Sequence, residues 1–102
     1  MPVVVTAVFR PVAGRRDDLV EALRSTIPGV HAEQGCLLYA IHDADDGTVT
    51  MIEKWESAAD LDAHGSGEAV AALQAATGDL LAEPVQVVRM TPIPVGDQAG
   101  AL

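Results

Sequence analysis

Residues 3 to 10, VVVTAVFR, are apolar or β-branched at nearly every position and are closed by Pro11 and Gly14, which predicts a β-strand. Alternation gives it two faces, Val3, Val5, Ala7 and Phe9 on one and Val4, Thr6 and Val8 on the other. Neither is polar enough to face water. From Arg15 the period lengthens. Leu19, Val20, Leu23, Ile27 and Val30 share one helical stripe, with Arg16, Asp17, Glu21, Arg24 and Ser25 opposite, the pattern of an amphipathic helix. Pro28-Gly29 predicts a kink or break, because a mid-helix proline removes a hydrogen bond and crowds the turn behind it. A further turn through Val30 to Gln34 should end at Gly35 in a left-handed cap.

Residues 36 to 43, CLLYAIHD, and 48 to 56, TVTMIEKWE, read as strands flanking Asp45-Asp46-Gly47, where the Asp-Gly step signals a hairpin. Ser57 is the expected N-cap of a short helix that runs to His64, with Asp60 completing an approximate capping box and Gly65-Ser66-Gly67 breaking it. A second helical stretch, Glu68 to about Leu81, carries Val70, Leu73, Ala76 and Leu80 on one stripe. Pro84 ends it, and PVQVVRMTP gives a last strand stopped by Pro92 and Pro94. The order β-α-β-β-α-β is the ferredoxin-like α+β plan, a four-stranded antiparallel sheet with helices on one face. It forms a single domain over residues 1–92, and residues 93–102 form a tail that is flexible or docked on a partner. Leaving about half a dozen aliphatic side chains of the other face in water would forfeit ~10 kcal/mol, so a symmetric homodimer packed sheet to sheet is expected.

Composition narrows the function by exclusion. The 102 residues include 15 acidic and 6 basic side chains, a formal charge of -9, and the basic ones form no stripe, so no nucleic-acid partner is expected. No apolar run approaches the ~20 residues that span a bilayer, and no signal-peptide pattern opens the chain. A cytoplasmic protein without a membrane partner is the expectation. Aromatics are 3% of the chain, Phe9, Tyr39 and Trp55, so the core must be aliphatic. The single cysteine, Cys36, has no disulfide or zinc partner and reads as a small buried hydrophobe at the start of a strand.

Few side chains are left to carry chemistry. The acidic turn Asp43, Asp45, Asp46, Gly47 is not a calcium loop. With Gly47 at the sixth position, the first and third positions are His42 and Ala44, so two oxygen ligands are missing and no metal is expected. No nucleophile elbow, phosphate loop or dinucleotide fingerprint occurs. His31 and His42 read as surface or boundary residues. His64, beside the glycine-rich break, could lean over the helix-facing side of the sheet toward Trp55 or Tyr39 as acid, base or hydrogen-bond partner; otherwise it merely complements a helix dipole. Glu53 and Lys54 alternate across a strand and are expected to form an ion pair at the interface, while Arg89 needs a carboxylate if buried, with Glu53 a candidate and a pocket anion the alternative. Trp55 is either a core anchor or a substrate-stacking ring.

The segments TIPGVHAEQGCLLY and TVTMIEKWESAADLDAH, with Glu33, Gly35, Cys36, Tyr39, Glu53, Trp55, Glu56 and His64, resemble the antibiotic biosynthesis monooxygenase family, and within it the small cofactor-free quinol monooxygenases. The resemblance covers residues 3 to 92. It implies a dimeric α+β barrel with a pocket between each sheet and its helices, and oxidation of quinol-like or polyketide-like aromatics by molecular oxygen without metal, flavin or other cofactor. A deprotonated hydroquinone or anthrone can itself reduce oxygen, so the protein need supply only a dry pocket and a base. His64 is the implied base, and Trp55, Tyr39, Phe9 and Ala7 the implied substrate-binding residues. Two departures bear on this. The second histidine common five residues after the first is Ala69 here, and the positions that haem-degrading relatives fill with Asn, Trp and His hold Ala7, His64 and Gln74, which argues against haem degradation. A non-catalytic dimer binding a small apolar metabolite, and a cofactor-free isomerase or decarboxylase using the same histidine, are the alternatives.

Overall fold

The computed structural model describes residues 1–102 in the order β1 (Val3–Phe9), α1 (Arg16–His31), β2 (Cys36–Asp43), β3 (Val49–Trp55), α2 (Ala58–Gly65), α3 (Glu68–Thr77), a 3-10 turn (Gly78–Leu80), β4 (Gln86–Met90) and a closing 3-10 turn (Gln98–Gly100). The strands form one antiparallel sheet in the order β2-β3-β1-β4, the ferredoxin-like arrangement. No helix is long and apolar enough to cross a membrane.

Both faces of the sheet are apolar by sequence, and the packing separates them. Val5, Ala7 and Phe9 of β1, Tyr39 of β2, and Val49, Met51 and Trp55 of β3 are buried beneath the helices, against Leu19, Leu23, Ile27 and Val30 of α1 and Leu61, Leu73 and Leu80 beyond. On the reverse side Thr6, Val8, Leu38, Ala40, Ile52 and Lys54 are half-buried, and Val88 and Met90 of β4 are exposed. The chain's last residues reach this side, where the Leu102 carbonyl accepts a hydrogen bond from Lys54 Nζ at 2.6 Å.

Three local expectations change. Helix α1 does not break at Pro28 but runs on to His31. The carbonyl that the proline leaves without its usual donor is that of Arg24, on the exposed side, while Ile27 and Val30 anchor the last turn in the core. The helix ends at Ala32 in right-handed conformation, and Gly35, at φ +80°, belongs instead to the turn that follows. Along α3 and its 3-10 extension the buried positions are Leu73, Thr77 and Leu80; Ala76 is exposed. Seven residues bring a helix back to the same face, so from Val70 the stripe reaches Thr77 rather than Ala76. The Thr77 hydroxyl is accommodated by donating to the Leu73 carbonyl at 2.8 Å. Cys36 opens β2 as expected but is half-buried.

The acidic hairpin is satisfied locally. Asp46 Oδ1 accepts from the Thr48 amide at 3.0 Å and from its hydroxyl at 2.6 Å, which holds the Asp46 carboxyl below its ordinary pKa. No group of three or more His, Cys, Asp or Glu side chains is placed to hold a metal ion.

Candidate functional site

Strand register collects polar side chains into one row on the helix-facing side. Tyr39 of β2 lies opposite Glu53 of β3, Glu53 opposite Val5 of β1, and Val5 opposite Arg89 of β4. The next row, Ile41, Met51, Ala7 and Val87, is wholly apolar. Above these rows α2 and α3 stand off the sheet and leave a cavity of about 250 Å³. Its walls include Val5, Ala7 and Phe9 from the sheet and Leu61, Val70 and Leu73 from the helices, with Tyr39, Glu53, His64, Gln74 and Arg89 as the polar members.

His64 reaches the cavity because α2 is short and firmly started. The Ser57 hydroxyl caps the Asp60 amide at 3.1 Å, and His64 falls in the last turn, just before the break. Its ring stacks on the fully buried indole of Trp55, with centroids 4.5 Å apart and planes at 30°, and meets Tyr39 edge-on at 5.4 Å. His64 Nδ1 lies 2.6 Å from Glu33 Oε1. The carboxylate accepts, which fixes a proton on Nδ1; in the neutral ring the lone pair is then on Nε2. Nε2 has no protein partner, and no enclosed side-chain nitrogen or oxygen is unpaired, so Nε2 opens to the cavity.

Glu33 owes its position to the turn between α1 and β2. Its amide donates to the Val30 carbonyl at 2.9 Å, and its own carbonyl accepts from the Cys36 amide at 3.3 Å. The Gly35 carbonyl ties the turn to the end of β3 by accepting from the Glu56 amide at 2.9 Å. Gly35 combines a left-handed φ with contact against α2, where a methyl group would collide with the Asp60 side chain. Nothing local in the sequence marks Glu33 as a partner of His64. They are 31 residues apart, and only the packing of α2 beside this turn joins them.

The remaining groups are set by burial. Desolvation pushes the Tyr39 phenol far above its ordinary pKa, with Glu53 and Glu33 adding to the effect, so it remains a neutral O–H. The Glu53 carboxyl is also pushed up by desolvation, against the opposing pulls of the Trp55 hydrogen bond and His64. The Cys36 thiol is raised by burial, then by Glu33 and Glu53, which disfavours the reactive thiolate.

Four of the five expected site residues, His64, Tyr39, Phe9 and Ala7, line the cavity. Trp55 does not. It is completely buried behind His64, and its indole N–H donates to Glu53 Oε1 at 3.0 Å. The Glu53–Lys54 ion pair does not form, because strand alternation sends Glu53 under the helices and Lys54 to the reverse side. Arg89 pairs with Asp62 of α2 at 2.5 Å rather than with Glu53, since β4 is an edge strand whose residues are exposed enough to meet a surface carboxylate. His31 and His42 only hold the backbone, contacting the Tyr39 and Thr50 carbonyls at 3.0 and 3.2 Å.

Comparison with known proteins converges on one group. The sequence profile described as Antibiotic biosynthesis monooxygenase matches residues 2–76. The Mycobacterium tuberculosis protein named "Putative monooxygenase Rv0793" is 34% identical over 101 residues, covering 98% of this chain and 97% of that protein. The solved structure of Rv0793 superposes with a TM-score of 0.85 over 95% of this chain and 100% of that one, at 31% identity. PA3566 from Pseudomonas aeruginosa superposes with a TM-score of 0.79 at 26% identity, over 90% of this chain and 94% of that one.

Proposed function

The chain belongs to the antibiotic biosynthesis monooxygenase family, and from that membership we propose that it oxidises a small quinol-like or polyketide-like aromatic with molecular oxygen, using no metal or organic cofactor. The observation that carries this reading is the state of His64, which has Nδ1 committed to Glu33 and Nε2 open to an apolar cavity. Such a nitrogen takes a phenolic proton. The resulting arenolate gives an electron to dioxygen, and the small, largely apolar cavity keeps the radical pair together.

Tyr39, Phe9 and Ala7 provide contact surface for the ring, and Trp55 acts from behind by holding the imidazole plane. Ala69, at the position of the missing second histidine, packs toward α1 and is not on the cavity wall. A cavity of about 250 Å³ suits a small aromatic ligand and is too small for a tetrapyrrole macrocycle. The apolar reverse face of the sheet is covered, in this reading, by a second copy of the chain.

Oxygen uptake in metal-free buffer with hydroquinones and anthrones tests the proposal. The wild-type protein should exceed the uncatalysed rate, and His64→Ala should lose about 10²-fold or more of that excess. An unchanged rate in His64→Ala removes the base, and turnover without oxygen transfers it to an isomerase.

A further inference from the structure

Glu53 faces the same cavity as His64 and has no part in the chemistry above. The residue is 6% exposed. Oε1 accepts the Trp55 indole N–H at 3.0 Å; Oε2 has no protein partner and is not sealed in, since no enclosed side-chain oxygen is unpaired. No arginine or lysine side chain forms an ion pair with Glu53. Arg89 is held by Asp62, and Lys54 points to the reverse side of the sheet and donates to Leu102. A buried carboxyl without a cation is costly to ionise. Trp55 links the two groups, hydrogen-bonded to Glu53 through its nitrogen and stacked on His64 through its ring. One rigid, wholly buried indole thus braces both the imidazole and the carboxyl at a single cavity.

We propose that Glu53 is the general acid of this site, donating its carboxyl proton to the peroxide oxygen formed when dioxygen adds to the free para carbon of a phenolic substrate. The assignment rests on the monooxygenase reading and adds to it the role of Glu53. His64 Nε2 takes the phenolic proton, one electron passes to dioxygen, and the radical pair combines to form a C–O bond ending in a peroxide anion. Glu53 protonates that anion. The resulting Glu53 carboxylate then removes the hydrogen left on the para carbon, the O–O bond breaks, and the ring carbon becomes a carbonyl. The departing hydroxide takes the proton held on His64 and leaves as water. Substrate and dioxygen give quinone and water, and both residues return to their starting states.

The titratable or charged groups facing Glu53 are Tyr39 and Cys36 from β2, Arg89 from β4, His64 from α2 and Glu33 ahead of β2; α1 and α3 present apolar side chains and Gln74. The test is steady-state oxygen uptake with an anthrone across pH, for wild type and Glu53→Gln, which keeps an acceptor for the Trp55 indole. The expected result is a fall in kcat of about 10²-fold with KM changed by less than about threefold, loss of the wild-type alkaline limb, and escape of hydroperoxide to a phosphine trap. Infrared difference spectra at neutral pH should show a protonated carboxylic acid that vanishes in Glu53→Gln. Wild-type kcat and an unchanged alkaline limb in Glu53→Gln, or an ionised Glu53 at neutral pH, overturns the acid assignment alone. If wild type consumes no oxygen with anthrones or hydroquinones, the monooxygenase reading falls and the acid assignment falls with it.

Discussion

A histidine that has committed one nitrogen to a carboxylate offers a substrate only the other, and the direction it offers it in is fixed by that carboxylate. In the proposed reaction Glu33 is therefore a positioning residue. Glu33→Ala should lower kcat by about 10- to 100-fold while KM stays within about threefold, and Glu33→Gln, which still accepts from Nδ1, should recover much of the loss. Equal rates in the two variants would detach Glu33 from His64. Glu53 has a second consequence, in stability. Its folded-state pKa is raised, so its contribution to stability is complete below the unfolded value near 4.5 and is lost as pH rises through the folded value. Glutamine does not titrate, so thermal melts of Glu53→Gln and wild type should coincide near about pH 4 and separate by a few degrees in the variant's favour at about pH 7 to 8. Coincidence at both ends would show an unperturbed carboxyl.

At the scale of elements, two glycines make opposite predictions. Gly29 lies inside α1, and a methyl group there would meet the Ala69 side chain at 3.9 Å, an ordinary contact. Gly29→Ala should stabilise the fold by about 0.5–1 kcal/mol in chemical denaturation, with activity retained. Gly35→Ala should cost about 2 kcal/mol, from left-handed strain and collision with Asp60, and should lower kcat as the Glu33 turn shifts. The strands and the hairpin were legible because their signals are local, in β-branched runs and in Asp46-Gly47. The continuity of α1 was not, because the rule against proline weighs a lost hydrogen bond while Ile27 and Val30 supply burial from outside the helix. Which side of β3 faces the helices was also hidden, since Met51 and Trp55 on one side and Ile52 on the other look alike until packed. His64 could be singled out from its place beside a glycine-rich break. Glu33 could not, because the pair is made by topology across 31 residues.

For the whole molecule, the reverse face of the sheet predicts association. Light scattering at micromolar concentration should give about 21 kDa, twice the 10.6 kDa of one chain. Val8→Lys combined with Ile52→Lys, two half-buried positions on that face, should give a monomer. A wild-type monomer would leave the face to some other cover. The pair Arg89–Asp62 joins β4 to α2, the two walls on either side of the cavity, and both side chains are more than half exposed, at 53% and 66%. An ion pair so open to solvent adds only about 0–1 kcal/mol and weakens with salt. Contact between these walls is thus cheap to interrupt, and passage between them is expected to be quick. How long a guest stays is governed by the grip of the apolar interior, and the waiting time before one enters should shorten as ionic strength rises.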